Sequence, residues 1–132
     1  MDAASVLKKL RLSAGHKALI VNAPEAFIDM LEGFKYDTIP MQSQEGAAYA
    51  YDYVQIFASS YDELITLLQS VEGAGKYDCL FWASYPKLTG KIISDLNREL
   101  VWQALGTINL DAVSQVAIDV TWSALRARPI GR

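Results

Sequence analysis

The sequence predicts a three-layer α/β domain with a mostly parallel sheet and a closing antiparallel hairpin at the C-terminal end. Three observations carry this. First, residues 18–21, 53–58 and 79–83 are short, nearly continuous apolar runs. Strands buried on both faces read this way, whereas a sheet with one wet face alternates. Second, the stretches between and after them space their apolar residues at helical intervals, and strand alternating with helix implies parallel strands joined by crossovers. Third, residues 113–119 and 121–128 are two apolar-rich runs with no room for a helix between them, which predicts an antiparallel pair at one side of the sheet.

The length of 132 residues suits one domain, and 52% apolar residues are enough to fill its core. The whole of 1–132 is therefore expected to form a single unit. Within 1–14 a short amphipathic helix is expected, turning Val6, Leu7 and Leu10 inward and Lys8, Lys9 and Arg11 to water. After the first strand, Asn22-Ala23-Pro24-Glu25 offers a cap, an early proline and an acid suited to a helix start. Phe27, Met30, Leu31 and Phe34 would share that helix's buried face, with Gly33 at its end. Thr38-Ile39 reads as a short edge strand and 41–50 as an irregular loop. Ser60-Tyr61-Asp62-Glu63 has the capping-box pattern, and it precedes the helical set Leu64, Leu67, Leu68 and Val71 and a terminating Gly73. Ile92, Ile93, Leu96 and Leu100 predict a third crossover helix. Phe57, Leu80 and Trp82 are expected to be largely buried in central strands.

Composition excludes several classes. A net charge of −3 gives no basic field for nucleic acid. The chain has one cysteine and one histidine, so no internal disulfide and no Cys/His metal site is expected. Cys79 lies in an apolar run, where a thiol behaves as a small hydrophobe. The start has no long apolar stretch and no window suits a spanning helix, so neither a secretory signal nor a membrane is expected, and the cytoplasm is the expected location.

In an open parallel sheet, ligands bind beyond the carboxyl ends of the strands. That rule selects Asn22 after the first strand, Ser59 after the second, Tyr85 and Lys87 after the third, and Trp122 at the terminal hairpin. Lys87 and Lys91 flank Thr89-Gly90 ahead of the expected third helix, where free N–H groups would favour an anion. The sequence is not a P-loop. His16 precedes the first strand and belongs to the opposite rim, so it cannot form a triad with Ser59 or Ser60.

The order of elements resembles an abridged, Rossmann-like class I S-adenosylmethionine-dependent methyltransferase fold. In that family an acidic, glycine-rich loop after the first strand admits the cofactor; here the matching positions, Val21 to Phe27, contain no glycine. The acid-bearing second strand is reduced to residues 36–40. A closer resemblance is to a group of small bacterial proteins of uncharacterised function. It is carried by Gly15, Asn22-Ala23-Pro24 with Phe27, Tyr85-Pro86-Lys87 with Asp95-Leu96, and Thr121-Trp122-Ser123-Ala124-Leu125-Arg126, and spans about Leu10 to Arg128. It implies an architecture without an activity, and no cofactor is expected.

Two readings follow. One is a non-catalytic module for a small ligand or a protein partner, including a second copy of the chain, on a degenerate methyltransferase-like scaffold. The alternative is an enzyme with a remodelled pocket acting on an anionic small molecule, in which Lys87 binds the anion and Asn22, Tyr85 and Asp119 or Trp122 position the rest. Neither reading is an active S-adenosylmethionine-dependent methyltransferase.

Overall fold

A computed structural model describes residues 2–40 and 49–131. The element order is α1 (Ala3–Lys9), β1 (Ala18–Val21), α2 (Glu25–Met30), β2 (Tyr51–Phe57), α3 (Tyr61–Val71), β3 (Gly75–Pro86), α4 (Arg98–Gly106), β4 (Leu110–Ala117) and β5 (Trp122–Pro129). They build one five-stranded sheet in the order β1-β2-β3-β5-β4. The first three strands are parallel, and β5 inserts antiparallel between β3 and β4. The α/β prediction, with its parallel body and antiparallel hairpin, matches this architecture.

Two cores flank the sheet. On one face Leu64, Leu68 and Val71 of α3 and Val101, Ala104 and Leu105 of α4 pack on Val54, Ile56, Phe81 and Ala83. On the other, Val6 and Leu7 of α1 and Phe27 of α2 pack on Tyr53, Phe57, Trp82 and Ala124. Helix α1 is amphipathic as expected and is capped by Asp2, whose carboxylate accepts from Ser5 N–H at 2.8 Å. Helix α3 starts at Ser60, whose hydroxyl accepts from Glu63 N–H at 3.2 Å; Glu63 returns a bond from Ser59 N–H at 2.8 Å.

Three expectations need correction. Leu80 is only half-buried, whereas Phe57 and Trp82 are buried. The edge strand near Thr38-Ile39 contracts to a single bridge in which Asp37 bonds both Ala18 and Ile20 of β1. Residues 41–48 of the expected loop lie outside the described residues, while Tyr49 and Ala50 donate to the carbonyls of Gly73 and Ala74. The helix expected over Ile92, Ile93 and Leu96 does not form, and α4 begins only at Arg98. Three polar side chains compete with helical pairing there: Ser94 accepts from Leu96 N–H, Asp95 from Tyr61 N–H, and Asn97 caps α4 through Leu100 N–H. Ile93 is 99% exposed, so its helical spacing from Leu96 was incidental.

A polar chain crosses the α1/α2 core. The Tyr53 hydroxyl donates to Gln55 Oε1 at 2.6 Å and Gln55 Nε2 donates to Ser84 Oγ at 3.1 Å, all three residues being fully buried. Tyr53→Phe leaves Gln55 Oε1 without its donor and should cost about 1–3 kcal/mol in denaturant unfolding. Burial also raises the Tyr53 phenol well above its ordinary 10.0. The unfolded chain therefore releases this proton first as pH rises, so stability should hold below about pH 10 and fall above it. Unfolding curves from pH 8 to 11 should show a shallower alkaline loss in Tyr53→Phe than in the native protein.

Candidate functional site

The carboxyl rim of the sheet divides its candidate residues among three surroundings. Tyr85 and Lys87, at the end of β3, line a cleft of about 380 Å³ together with Thr89, Asn97, Arg98, Glu99, Gln115 and Ser123. Antiparallel pairing sets Tyr85 opposite Ser123, and the first turn of α4 closes the third side. The late start of α4 thus does not remove a helix terminus from Lys87. The loop over residues 88–97 folds so that Asn97, Arg98 and Glu99 return to the cleft that Lys87 borders.

Tyr85 and Ser123 are each only 5% exposed, and neither hydroxyl has a partner among the described residues. The one sealed and unsatisfied side-chain atom among those residues is Arg126 Nε, so both hydroxyls open to the cleft. Burial raises the Tyr85 phenol; Arg98 opposes that shift and Glu99 reinforces it. The phenol is therefore a proton donor at neutral pH. Gly90 has a packing role: a Cβ there would meet the carbonyls of Lys87 and Thr121 at 3.2 and 3.4 Å, and Lys87 N–H donates to Thr121 O at 2.8 Å. Leu88 also lines the cleft and stands 82% exposed, as does Val120 in the neighbouring hairpin turn.

The other three candidates lie elsewhere. Asn22 adopts a left-handed backbone with φ 62°, and its Nδ2 donates to Phe57 O at 2.8 Å, tying the ends of β1 and β2 together. It borders a separate shallow cleft with Asp62, Glu63, Thr66 and Leu67. Ser59 is held by Glu63 through its N–H and, at 3.4 Å, its hydroxyl. Trp122 is 8% exposed and packs edge-on against Phe57 on the opposite face, with ring centroids 5.3 Å apart. Asp119 accepts from the N–H groups of Thr121 and Trp122, which forms the hairpin turn. His16 accepts from Ser13 N–H and stacks on Tyr53 beside the start of β1, at the rim away from the cleft.

Arg98, Gln115 and Ser123 were missed by sequence reasoning. Period-two alternation carried the signal for Ser123, since a Trp122 turned to one core puts its neighbour on the other face. Nothing local pointed to Arg98, because its position follows from the shifted helix start.

Among the described residues no group of three metal-ligating side chains gathers, and no helix is long and apolar enough to cross a membrane. Burial, reinforced by Asp78 and Asp52, pushes the Cys79 thiol up to about 11. Its reaction with a disulfide reagent at pH 7.5 should be about a hundredfold slower in the folded protein than in urea, because so little thiolate is present.

No protein-family model matches the chain, and no curated protein matches it in sequence. Solved structures match in fold. A SAM-dependent methyltransferase from Aquifex aeolicus aligns with TM-score 0.61 at 14% identity over 96% of this chain and 88% of its own. The [4+2]-cyclase SpnF aligns with TM-score 0.59 at 9% identity over 98% and 80%. A 16S rRNA adenine methyltransferase from Catenulisporales acidiphilia aligns with TM-score 0.55 at 11% identity over 98% and 91%. The chain therefore has the class I methyltransferase fold, and identities this low carry the fold alone.

The cofactor which that fold implies does not fit the residues present. Where a glycine would leave backbone bare, the Asn22 side chain bridges β1 to β2, and Ala23 and Pro24 add further side-chain bulk. Asp37, the acid of the vestigial second strand, bonds the Tyr51 hydroxyl. Calorimetric titration with S-adenosylmethionine should give no saturable heat. A dissociation constant in the low micromolar range, about −8 kcal/mol, would overturn this.

Proposed function

We propose that this chain is a non-catalytic module that binds an anionic small molecule on its methyltransferase-like scaffold, in the cleft of Tyr85, Lys87, Arg98 and Ser123. One observation carries the reading: two almost buried hydroxyls, without partners among the described residues, open into a cleft bordered by two cations. An oxyanion accepts from both hydroxyls and gains charge-assisted contacts from Lys87 and Arg98, and the amino end of α4 adds its partial positive charge. Glu99 opposes this in part, so an anion with one compact charged group fits better than a polyanion. Two facts support a binding role over chemistry. The lone imidazole is at the far rim, and Asp119 is committed to its own turn.

The enzyme reading keeps one specific observation. Tyr85 and Glu99 line the same cleft, which makes them the acid–base candidates of such a reaction.

The test is melting temperature against phosphate, sulfate and citrate at fixed ionic strength, for the native protein, Lys87→Ala and Tyr85→Phe. The native protein should show a saturable rise, and each variant should require about fivefold to tenfold more ligand for the same rise. Equal rises in all three proteins, or none in any, would overturn the cleft assignment.

A further inference from the structure

We propose that Arg11 and Arg126 form a second oxyanion site, on the opposite face of the sheet from the cleft, for a phosphate or carboxylate group on a small molecule. The framework begins at Trp82. Its indole Nε1 donates to Leu10 O at 3.0 Å and fixes the chain leaving α1 against β3. The next residue, Arg11, takes a left-handed turn with φ 63°, and its side chain is exposed. Trp82 also stands directly opposite Arg126 in the β3–β5 register, so their side chains share a face. One tryptophan thus holds the end of α1 over the strand that carries Arg126.

Arg126 is partly exposed, but its Nε is sealed from water and has no hydrogen-bond partner among the described residues. An uncompensated guanidinium nitrogen in such a place is costly. Among the described residues the charges around it do not supply an acceptor. Arg11 and Arg128 both act on Arg126 as like charges, and Asp78 is the carboxylate that acts on it in the opposite sense. Asp78 is already engaged by Arg128 through two bonds, Nε to Oδ1 at 2.9 Å and Nη2 to Oδ2 at 2.6 Å. Among the described residues Asp78 thus bonds Arg128, and no carboxylate bonds Arg126. Across the strand pair Ser114 faces Arg126, exposed and uncharged. Arg126 has no other sealed nitrogen, so its terminal nitrogens remain open to a ligand. A planar or tetrahedral oxyanion bridging them to Arg11 supplies the missing negative charge with the fork geometry that guanidinium groups favour.

The site differs from the cleft of the proposed function in face and in residues, so the two can be tested apart. The ¹⁵N-labelled protein is titrated with inorganic phosphate and, separately, with acetate at constant ionic strength. The Arg126 Nε–H, the Trp82 indole N–H and the Arg11 and Ser114 amides are followed. Saturable shifts at these groups are expected; stronger binding of phosphate would identify a phosphoryl ligand, and of acetate a carboxylate ligand. In Arg11→Gln, an exposed change that leaves the core intact, the apparent affinity should fall about tenfold. Retention of the Trp82 indole resonance in that variant verifies that the fold persists. Absence of saturable shifts, or shifts of equal affinity in Arg11→Gln, would overturn the inference. So would a response confined to Tyr85, Lys87 and Ser123, which would leave the cleft reading standing by itself.

Discussion

The antiparallel register between β3 and β5 is the constraint on which the rest of the molecule depends. It sets Tyr85 opposite Ser123 and Trp82 opposite Arg126. Opposed residues project to the same face, and adjacent pairs alternate. One register therefore builds a hydroxyl-lined cleft on the α3/α4 side and a guanidinium cluster on the α1/α2 side. A slip of one residue would exchange the faces: Trp122 would leave the core beside Phe57, and Ser123 would enter it. The burial of Ala124, Leu125 and Ala127 on alternating sides resists such a slip, because both faces are packed.

The two cores have different chemistry. The α3/α4 side is closed by aliphatic helix residues, with Leu64, Leu68, Val101 and Leu105 packing over Val54 and Ile56. The α1/α2 side carries large aromatic rings and the Tyr53–Gln55–Ser84 chain of hydrogen bonds. Buried polar groups with satisfied partners demand one alignment of β2 against β3, whereas aliphatic packing tolerates small shifts. The nearly buried hydroxyls of Tyr85 and Ser123, unpartnered among the described residues, stand at the end of the sheet where α4 starts. The Tyr53, Gln55 and Ser84 groups satisfy one another within the core, whereas the Tyr85 and Ser123 hydroxyls remain open at the rim.

The loop between β3 and α4 governs the character of that rim. Asp95 accepts from the first N–H of α3, while Asn97 caps α4 three residues before Leu100. A single loop thus ties the starts of two neighbouring helices together on one side of the sheet. Its inner edge is held by Lys87 N–H on Thr121 O. This is why Lys87 and Arg98, eleven positions apart, border one cleft.

By itself the sequence determined the fold class, the order of the strands along the chain and the capped start of α3. These follow from apolar runs of strand length, helical spacing and side chains that bond backbone a few residues away. It also determined that the turn at Asn22-Ala23-Pro24 carries no glycine. Only the tertiary structure decided which rim residues meet. Tyr85 and Lys87 were legible as neighbours at the end of a strand, but Ser123 and Arg98 reach them through a β5 insertion and a delayed helix start that involve distant partners. Trp122 was legible as important and not as core, because an aromatic ring fits a ligand cleft and a buried contact equally well until Phe57 is seen beside it. Arg126 shows the same limit: its charge is written in the chain, but the lack of an acceptor for its Nε arises only when Trp82, Leu10 and Asp78 have taken their places around it.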